Sequence, residues 1–379
     1  MHEAPVVVLS GGGTGGHLYP ALAIADSLRT RRPDVRLVFF GAERGLEARV
    51  LPARGEECHF LPVRGIDRSR PLQAWRALFG LVVALVSVAR VFARIRPEVV
   101  VVTGGYAGAP AGIVAGLSGI PLVLQEQNAE PGVVTRLLAR WATRVHVAYP
   151  EASDRLGAGE RARVTGNPVR ARRERGPEQV RAELGVPLGT PLLLVMGGSQ
   201  GSLALNRVLS EALRGVDKGT LRRPEGLHLL WVTGPSHVDA VGSVVRECGA
   251  PSWVHAVGYL DDLPSALAAA DLAVSRSGAM SIAELLDRGL PAVLVPLPSA
   301  AAGHQMHNAR SLEKAGAAVV APQDELTGEL LWAEIERLLA SPELLARMRR
   351  AARALARPNA AADIAADIET LLPAVRRSP

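Results

Sequence analysis

The chain has 379 residues, 48% hydrophobic but only 4% aromatic, a length that allows two or three domains packed mainly with Ala, Val and Leu. Its net charge is +6 with a pI near 10.0, carried by arginine beside only two lysines, Lys218 and Lys314, and this balance favours anionic partners. Two distant cysteines, Cys58 and Cys248, exclude a disulfide framework and a zinc spacing; the N-terminus lacks the basic region of a signal peptide, and the longest charge-free apolar run, residues 77–89, is shorter than the roughly 20 residues of a membrane span.

In chain order, the first element is Val6-Val7-Val8-Leu9, read as a buried strand. It leads into GGGTGG, residues 11–16, and then a helix from Tyr19 to Leu28 with Pro20 in its first turn. A glycine loop between a strand and a helix N-terminus offers backbone N–H groups and the helix dipole to an anion, commonly phosphate. Gly11, Gly13 and Gly16 also satisfy G-x-G-x-x-G, but a dinucleotide site wants an acid at the end of the second strand. Glu43 fills that place poorly, because Gly41 and Ala42 intervene. His17 has two readings: a polar residue facing water at a helix start, or a general base whose neutral form the positive helix end favours.

Strand-like runs follow at 35–40, 98–102, 121–124 and 144–148, separated by helical patterns. This alternation predicts a mostly parallel sheet with helices on both faces. Residues 68–96 are apolar with arginines at both ends. They fit a buried helix, a lipid-facing surface, or a helix with one face of each kind. Trp75 and Phe79 suit a membrane interface, and Arg76 suits anionic headgroups; the segment 136–144 would extend the basic patch. No stretch interleaves basic residues with several aromatics, which argues against nucleic acid as a partner.

The pattern then repeats over residues 191–213 as strand, glycine loop and helix, with further strands at 228–233, 271–274 and 291–295. Two such units predict two Rossmann-like domains with a cleft between them. The boundary falls in the arginine-rich segment 165–180, broken by Pro168 and Pro177, giving domains over 1–167 and 168–345. A helical tail over 346–379, broken at Pro358, is expected to pack back on the first domain. Within SRSGAMSIAEL, residues 275–285, two readings stand. Either Ser277 caps a helix that carries a solvated Glu284, or the helix N-terminus faces a diphosphate while Glu284 accepts two ribose hydroxyls. His304, Gln305, His307 and Asn308 group together, but no acid or cysteine lies near the histidines in sequence, and the chain contains no D-x-D. The expectation is therefore no metal, with helix dipoles and arginine holding a diphosphate.

The pieces GGTGGHLYPALAIA (12–25), GGYAGAP (104–110), QEQNAEPG (125–132), GNPVR (166–170), GGSQGS (197–202), GYLDD (258–262), SRSGAMSIAEL (275–285) and HQMHNA (304–309) resemble, in order, those of the MurG family of bacterial glycosyltransferases. The resemblance spans about residues 12–317. It implies an α/β GT-B architecture, two Rossmann-like domains whose parallel sheets face a central cleft. It also implies inverting, metal-independent transfer of N-acetylglucosamine from UDP-N-acetylglucosamine (UDP-GlcNAc) to the C4 hydroxyl of lipid I, undecaprenyl-pyrophosphoryl-MurNAc-pentapeptide. The products are lipid II, for peptidoglycan synthesis, and UDP, and no cofactor is implied. By matching motif positions, Thr14, Gly15, Gly16, Asn128, Arg170, Ser199, Leu260, Ala279, Met280, Ser281, Ile282, Ala283, Glu284 and Gln305 would contact the donor. Glu284 would take the ribose hydroxyls, Gln305 the sugar, and His17 the role of base. The implied location is peripheral, on the cytoplasmic face of the cell membrane, with an anionic membrane surface and other cell-wall synthesis proteins as candidate partners. Two departures stand out: Gln125 replaces a histidine common in the family, and residues 298–303 are small and apolar where relatives carry charge. The rival readings are a UDP-sugar epimerase of the same fold and a nicotinamide-dependent oxidoreductase.

Overall fold

The computed structural model describes residues 4–63, 74–169, 176–300 and 303–374, with backbone alone for 74–78. Arg170 and the side chains of Trp75 and Arg76 lie outside the described residues. The chain divides into two compact units, one formed by residues up to 170 together with those from 357 onward, the other by residues 171–356.

The first unit holds seven parallel strands: β1 (Val6–Ser10), β2 (Arg36–Ala42), β3 (Cys58–Leu61), β4 (Val99–Val102), β5 (Leu122–Glu126), β6 (Arg144–Val147) and β7 (Ala162–Val164). Their spatial order is β3-β2-β1-β4-β5-β6-β7. The second unit holds six: β8 (Leu192–Met196), β9 (His228–Val232), β10 (Val254–Val257), β11 (Leu272–Ser275), β12 (Ala292–Leu294) and β13 (Ala318–Val320). These run parallel in the order β10-β9-β8-β11-β12-β13. Both are doubly wound sheets whose order reverses at the first strand, so the crevices beyond β1/β4 and beyond β8/β11 are topological switch points.

Burial on both faces explains the unbroken apolar runs of the inner strands. In β1, Val6 and Val8 join one core cluster while Val7 and Leu9 join the other. In β8, Leu192, Leu194 and Met196 face one core, and Leu193 and Val195 the opposite one. The nine runs predicted as strands are the inner strands of the two sheets. The four unpredicted strands, β3, β7, β10 and β13, are the four edges. An edge strand does not need a continuous apolar run, and β7 and β10 contain no fully buried residue.

The first helix, Gly15–Arg31, begins inside the glycine loop rather than at Tyr19. Pro20 is thus its sixth residue, not a first-turn proline, and it withholds the N–H that would otherwise bind the Gly16 carbonyl. The predicted tail also divides. Helix Pro342–Leu355 buries Met348 and Ala352 in the second unit. The following helix, Ala360–Glu369, returns to the first, where Ile364, Ala365 and Ile368 pack among Leu18, Leu22 and Leu28. The crossover therefore falls at 356–357, inside the segment read as one tail. Among the described residues no helix is long and apolar enough to cross a membrane.

Candidate active site

Because every strand of a sheet runs parallel, the loops after the strands gather along one edge. In the first unit the loop after β1 meets the loop after β4. Gly13 has φ +90°, and a Cβ there would sit 2.5 Å from the Tyr106 ring; a Cβ on Gly105 would sit 2.2 Å from the Gly12 carbonyl oxygen. Glycine is required at both positions by close approach and by positive φ. Fully buried Glu47 holds the loop from below. Its Oε1 accepts from Gly13 N at 2.9 Å and from Ala42 N at 2.8 Å. The Gly13 amide, offered by the sequence as an anion donor, is thus already claimed by a carboxylate of the chain itself. Gly15, buried, and Gly16, half-buried, stand in the first helical turn, where N–H groups have no intrahelical acceptors. Burial, and after it the Glu47 carboxylate, raise the Tyr106 hydroxyl above its ordinary pKa.

His17 follows, third in the helix and half-buried. Its Nδ1 lies 3.0 Å from the Thr103 carbonyl oxygen and 3.2 Å from Gln127 Oε1. Both partners can only accept, so in the neutral ring Nδ1 carries the proton and Nε2 holds the lone pair. The Thr103 hydroxyl donates back to the His17 carbonyl at 2.7 Å. Behind the ring, Gln127 Nε2 donates to Thr103 O and to Gln125 Oε1, Gln125 Nε2 donates to Asn167 Oδ1, and Asn167 Nδ2 donates to Gln127 O. Gln125, where the family commonly has histidine, is a buried link in this amide chain. Asn128 is held by Glu126, whose Oε1 accepts from both its N and Nδ2 while Oε2 accepts from Gly132 N.

In the second unit, Ser199 is exposed in the loop after β8, Leu260 follows β10, the helix Ala279–Arg288 follows β11, and Gln305 opens the helix His304–Lys314 beyond β12. Ser277 does not cap its helix. Gly278 is the N-cap, and Ser277 Oγ donates instead to the Gln305 carbonyl at 2.8 Å. As a glycine, Gly278 brings no side chain to cap this helix. Glu284 is half-buried on this helix beside Met280, Ser281 and Ala283, whereas the Ile282 side chain points into the core and Ala279 is buried. Gln305 Oε1 accepts from Leu297 N at 2.9 Å, so the side chain's remaining capacity is its two amide N–H donors. Thr14 is exposed beside Gly15 and Gly16. The predicted residues of each unit thus share one sheet edge. Sequence reasoning missed Glu47, Thr103, Gln127, Ser202 and Arg276; the last three lay inside quoted motifs, but their partners are remote in sequence. Among the described residues, no group of three or more His, Cys, Asp or Glu is placed to hold a metal ion.

Two doubly wound sheets with loops gathered at their switch points have the architecture of nucleotide-sugar enzymes of the GT-B type. Residues 7–147 match the glycosyltransferase family 28 N-terminal domain and residues 192–368 its C-terminal domain. The chain belongs to glycosyltransferase family 28 and, within it, to the MurG transferases. It is 43% identical over 370 residues to the UDP-N-acetylglucosamine–N-acetylmuramyl-(pentapeptide) pyrophosphoryl-undecaprenol N-acetylglucosamine transferase of Salinibacter ruber (strain DSM 13855 / M31), covering 97% of both chains. The transferase of the same description from Anaeromyxobacter sp. (strain Fw109-5) is 42% identical, over 95% of this chain and 91% of its own. The crystal structure of Acinetobacter baumannii MurG superposes with a TM-score of 0.73 at 28% identity, covering 97% of this chain and 99% of that one.

Proposed function

We propose that His17 is the general base of an N-acetylglucosaminyl transfer from UDP-GlcNAc to lipid I. The enzyme makes lipid II and UDP; its relatives are described as N-acetylglucosamine transferases acting on UDP-N-acetylglucosamine and N-acetylmuramyl-(pentapeptide) pyrophosphoryl-undecaprenol. The observation that carries the base assignment is the Thr103 carbonyl on Nδ1, which leaves Nε2 as the basic atom. Nε2 takes the proton from the C4 hydroxyl of the muramyl sugar, and that oxygen forms the bond to the anomeric carbon. The bond from that carbon to the diphosphate breaks, UDP departs, and the α-linked donor gives a β-1,4 product. In the second unit the helix Ala279–Arg288 would turn its positive dipole end to the diphosphate, Glu284 would face the ribose and Gln305 the sugar.

Phe79, Val82, Val83 and Val86 lie at i, i+3, i+4 and i+7 on helix Ala74–Ile95 and are 66%, 52%, 40% and 44% exposed. The opposite face buries Ala84, Val88 and Phe92. Arg90 and Arg94 are exposed in the following turns. An apolar stripe ending in arginines supports a reading as the face that rests on an anionic membrane, where the lipid acceptor resides.

The test is UDP release with and without a short-chain lipid I analogue. Acceptor-dependent release with a disaccharide product is expected. Turnover of UDP-GlcNAc without acceptor would favour the epimerase reading, and binding of a nicotinamide dinucleotide in place of UDP would favour the oxidoreductase.

A further inference from the structure

Arg276 directly follows β11, at the switch point of the second sheet, and is 6% exposed. Its Nε and Nη2 donate to Ser202 Oγ at 3.2 and 2.7 Å, Nη1 to the Val295 and Pro296 carbonyls at 3.0 and 3.2 Å, and Nη2 also to Gln323 Oε1 at 2.6 Å. Every acceptor is neutral, and among the described residues no carboxylate pairs with it. Burial accordingly pushes the guanidinium below its ordinary pKa, with no carboxylate opposing the shift. A buried cation is costly unless something compensates its charge. The guanidinium has spent its N–H groups on the protein, so its effect on a ligand is its charge.

Ser202 is the link from that charge to the loop. It is 8% exposed and closes the glycine loop after β8, the strand next to β11. Its Oγ accepts from Arg276 and, as the N-cap of helix Leu203–Asp217, from Leu205 N at 3.3 Å. With the oxygen surrounded by N–H donors, its own O–H must donate elsewhere, and no acceptor is present for it among the described residues. The loop is closely packed at this point: a Cβ on Gly197 would sit 2.4 Å from Ser202 N, and one on Gly201 would sit 2.0 Å from the Thr233 carbonyl oxygen.

We infer that Ser202 and Arg276 form an anion-receiving pair for the diphosphate of a nucleoside diphosphate bound at this switch point, Ser202 donating its hydroxyl and Arg276 supplying the compensating charge. The inference rests on the reading that the second unit holds the nucleotide donor. It makes Ser202 a binding residue and Arg276 a positioning one. A stitching role for Arg276, tying the loops after β8, β11 and β12 together, would act on every ligand alike, whereas an electrostatic role acts on the charged part alone.

The experiment measures UDP and uridine binding to the full chain by calorimetric titration and competition. Ser202→Ala is expected to weaken UDP roughly tenfold, and Arg276→Met ten- to a hundredfold, as for loss of a charge-assisted hydrogen bond or its polarising charge. Uridine binding should stay within about twofold in both. Arg276→Lys, which restores the charge without the fork of hydrogen bonds, should recover most of the UDP affinity. Parallel losses for UDP and uridine, or unchanged UDP binding in Ser202→Ala, would overturn the inference. If Arg276→Met does not fold, the Ser202→Ala comparison decides alone. A wild-type chain that binds neither ligand would instead defeat the donor reading itself.

Discussion

The Nδ1 atom of His17 lies 3.0 Å from the carbonyl oxygen of Thr103, 86 residues later in the chain. The contact joins the loop after β1 to the loop after β4, and a carbonyl there sets the ring's tautomer. His17→Ala is expected to lower turnover by about 10²–10⁴-fold, the usual contribution of a general base, with UDP affinity held. Gln127→Met keeps the Thr103 contact while removing the second acceptor, and should lower turnover less. A wild-type rate in His17→Ala would reject the role.

Glu47 satisfies the buried Ala42 amide and the half-buried Gly13 amide from a fully buried position. Glu47→Ala leaves both without this acceptor, at about 1–3 kcal/mol for the buried one. The variant should melt several degrees lower, and Gly11–Gly16 should exchange amide hydrogen faster. Glu47→Gln retains one acceptor oxygen and should fall between. Equal melting temperatures for Glu47→Ala and wild type would show that the carboxylate does not hold the loop.

Glu284 sits in the second turn of the helix after β11. If it accepts the ribose hydroxyls, Glu284→Ala should weaken UDP by about 1.5–3 kcal/mol, the worth of hydrogen bonds to a charged group. Turnover at saturating donor should change much less. Calorimetry showing unchanged affinity would remove the ribose assignment.

The exposed stripe on Ala74–Ile95 makes a prediction about surfaces. The protein should sediment with vesicles containing anionic lipid and be released at high salt, because headgroup attraction is screened over about a Debye length. Phe79→Glu should abolish sedimentation while leaving turnover of a water-soluble acceptor intact. Indifference of wild-type binding to lipid charge would leave the stripe without this role.

Fully buried His146 sits with Nε2 3.2 Å from Asp367 Oδ2, on the helix that returns to the first unit. Burial, assisted by Arg163 and Arg144, pushes its pKa down to about 4 even though Asp367 opposes the shift. The folded pKa lies below the unfolded value, so the unfolded chain binds more protons between about pH 6.5 and 4. Stability from the neutral ring is complete above that window and is lost as pH falls through it, by up to about 3 kcal/mol. The protection factors over 360–369, corrected for the intrinsic slowing of exchange in acid, should fall from pH 6.5 to 4.5, and His146→Leu should flatten the change. A pH-independent protection factor in wild type would contradict it.

Much of the fold was legible in the residues alone. Nine largely apolar runs mark the nine inner strands, because a strand buried on both faces is mostly apolar. GGGTGG and GGSQG mark two of the places where backbone passes too close for a Cβ. His17, Glu284 and Gln305 were legible as polar residues at helix starts beside such loops. Tertiary structure alone decided the rest. Of the four edge strands, β3, β7 and β10 are broken by His59, Arg163 and His255, and β13 lies in an apolar run, 317–321, that sequence reading passed over. It also decided that Glu47 fills the Gly13 amide, that Ser277 binds Gln305 rather than its own helix, that Gln127 stands behind His17, and that Arg276 lies buried against Ser202. Each of these is a contact between residues 28 to 110 positions apart. Periodicity and glycine placement are local properties that a chain displays along its length. A hydrogen-bond partner is settled only when packing brings distant strand ends to one edge of a sheet.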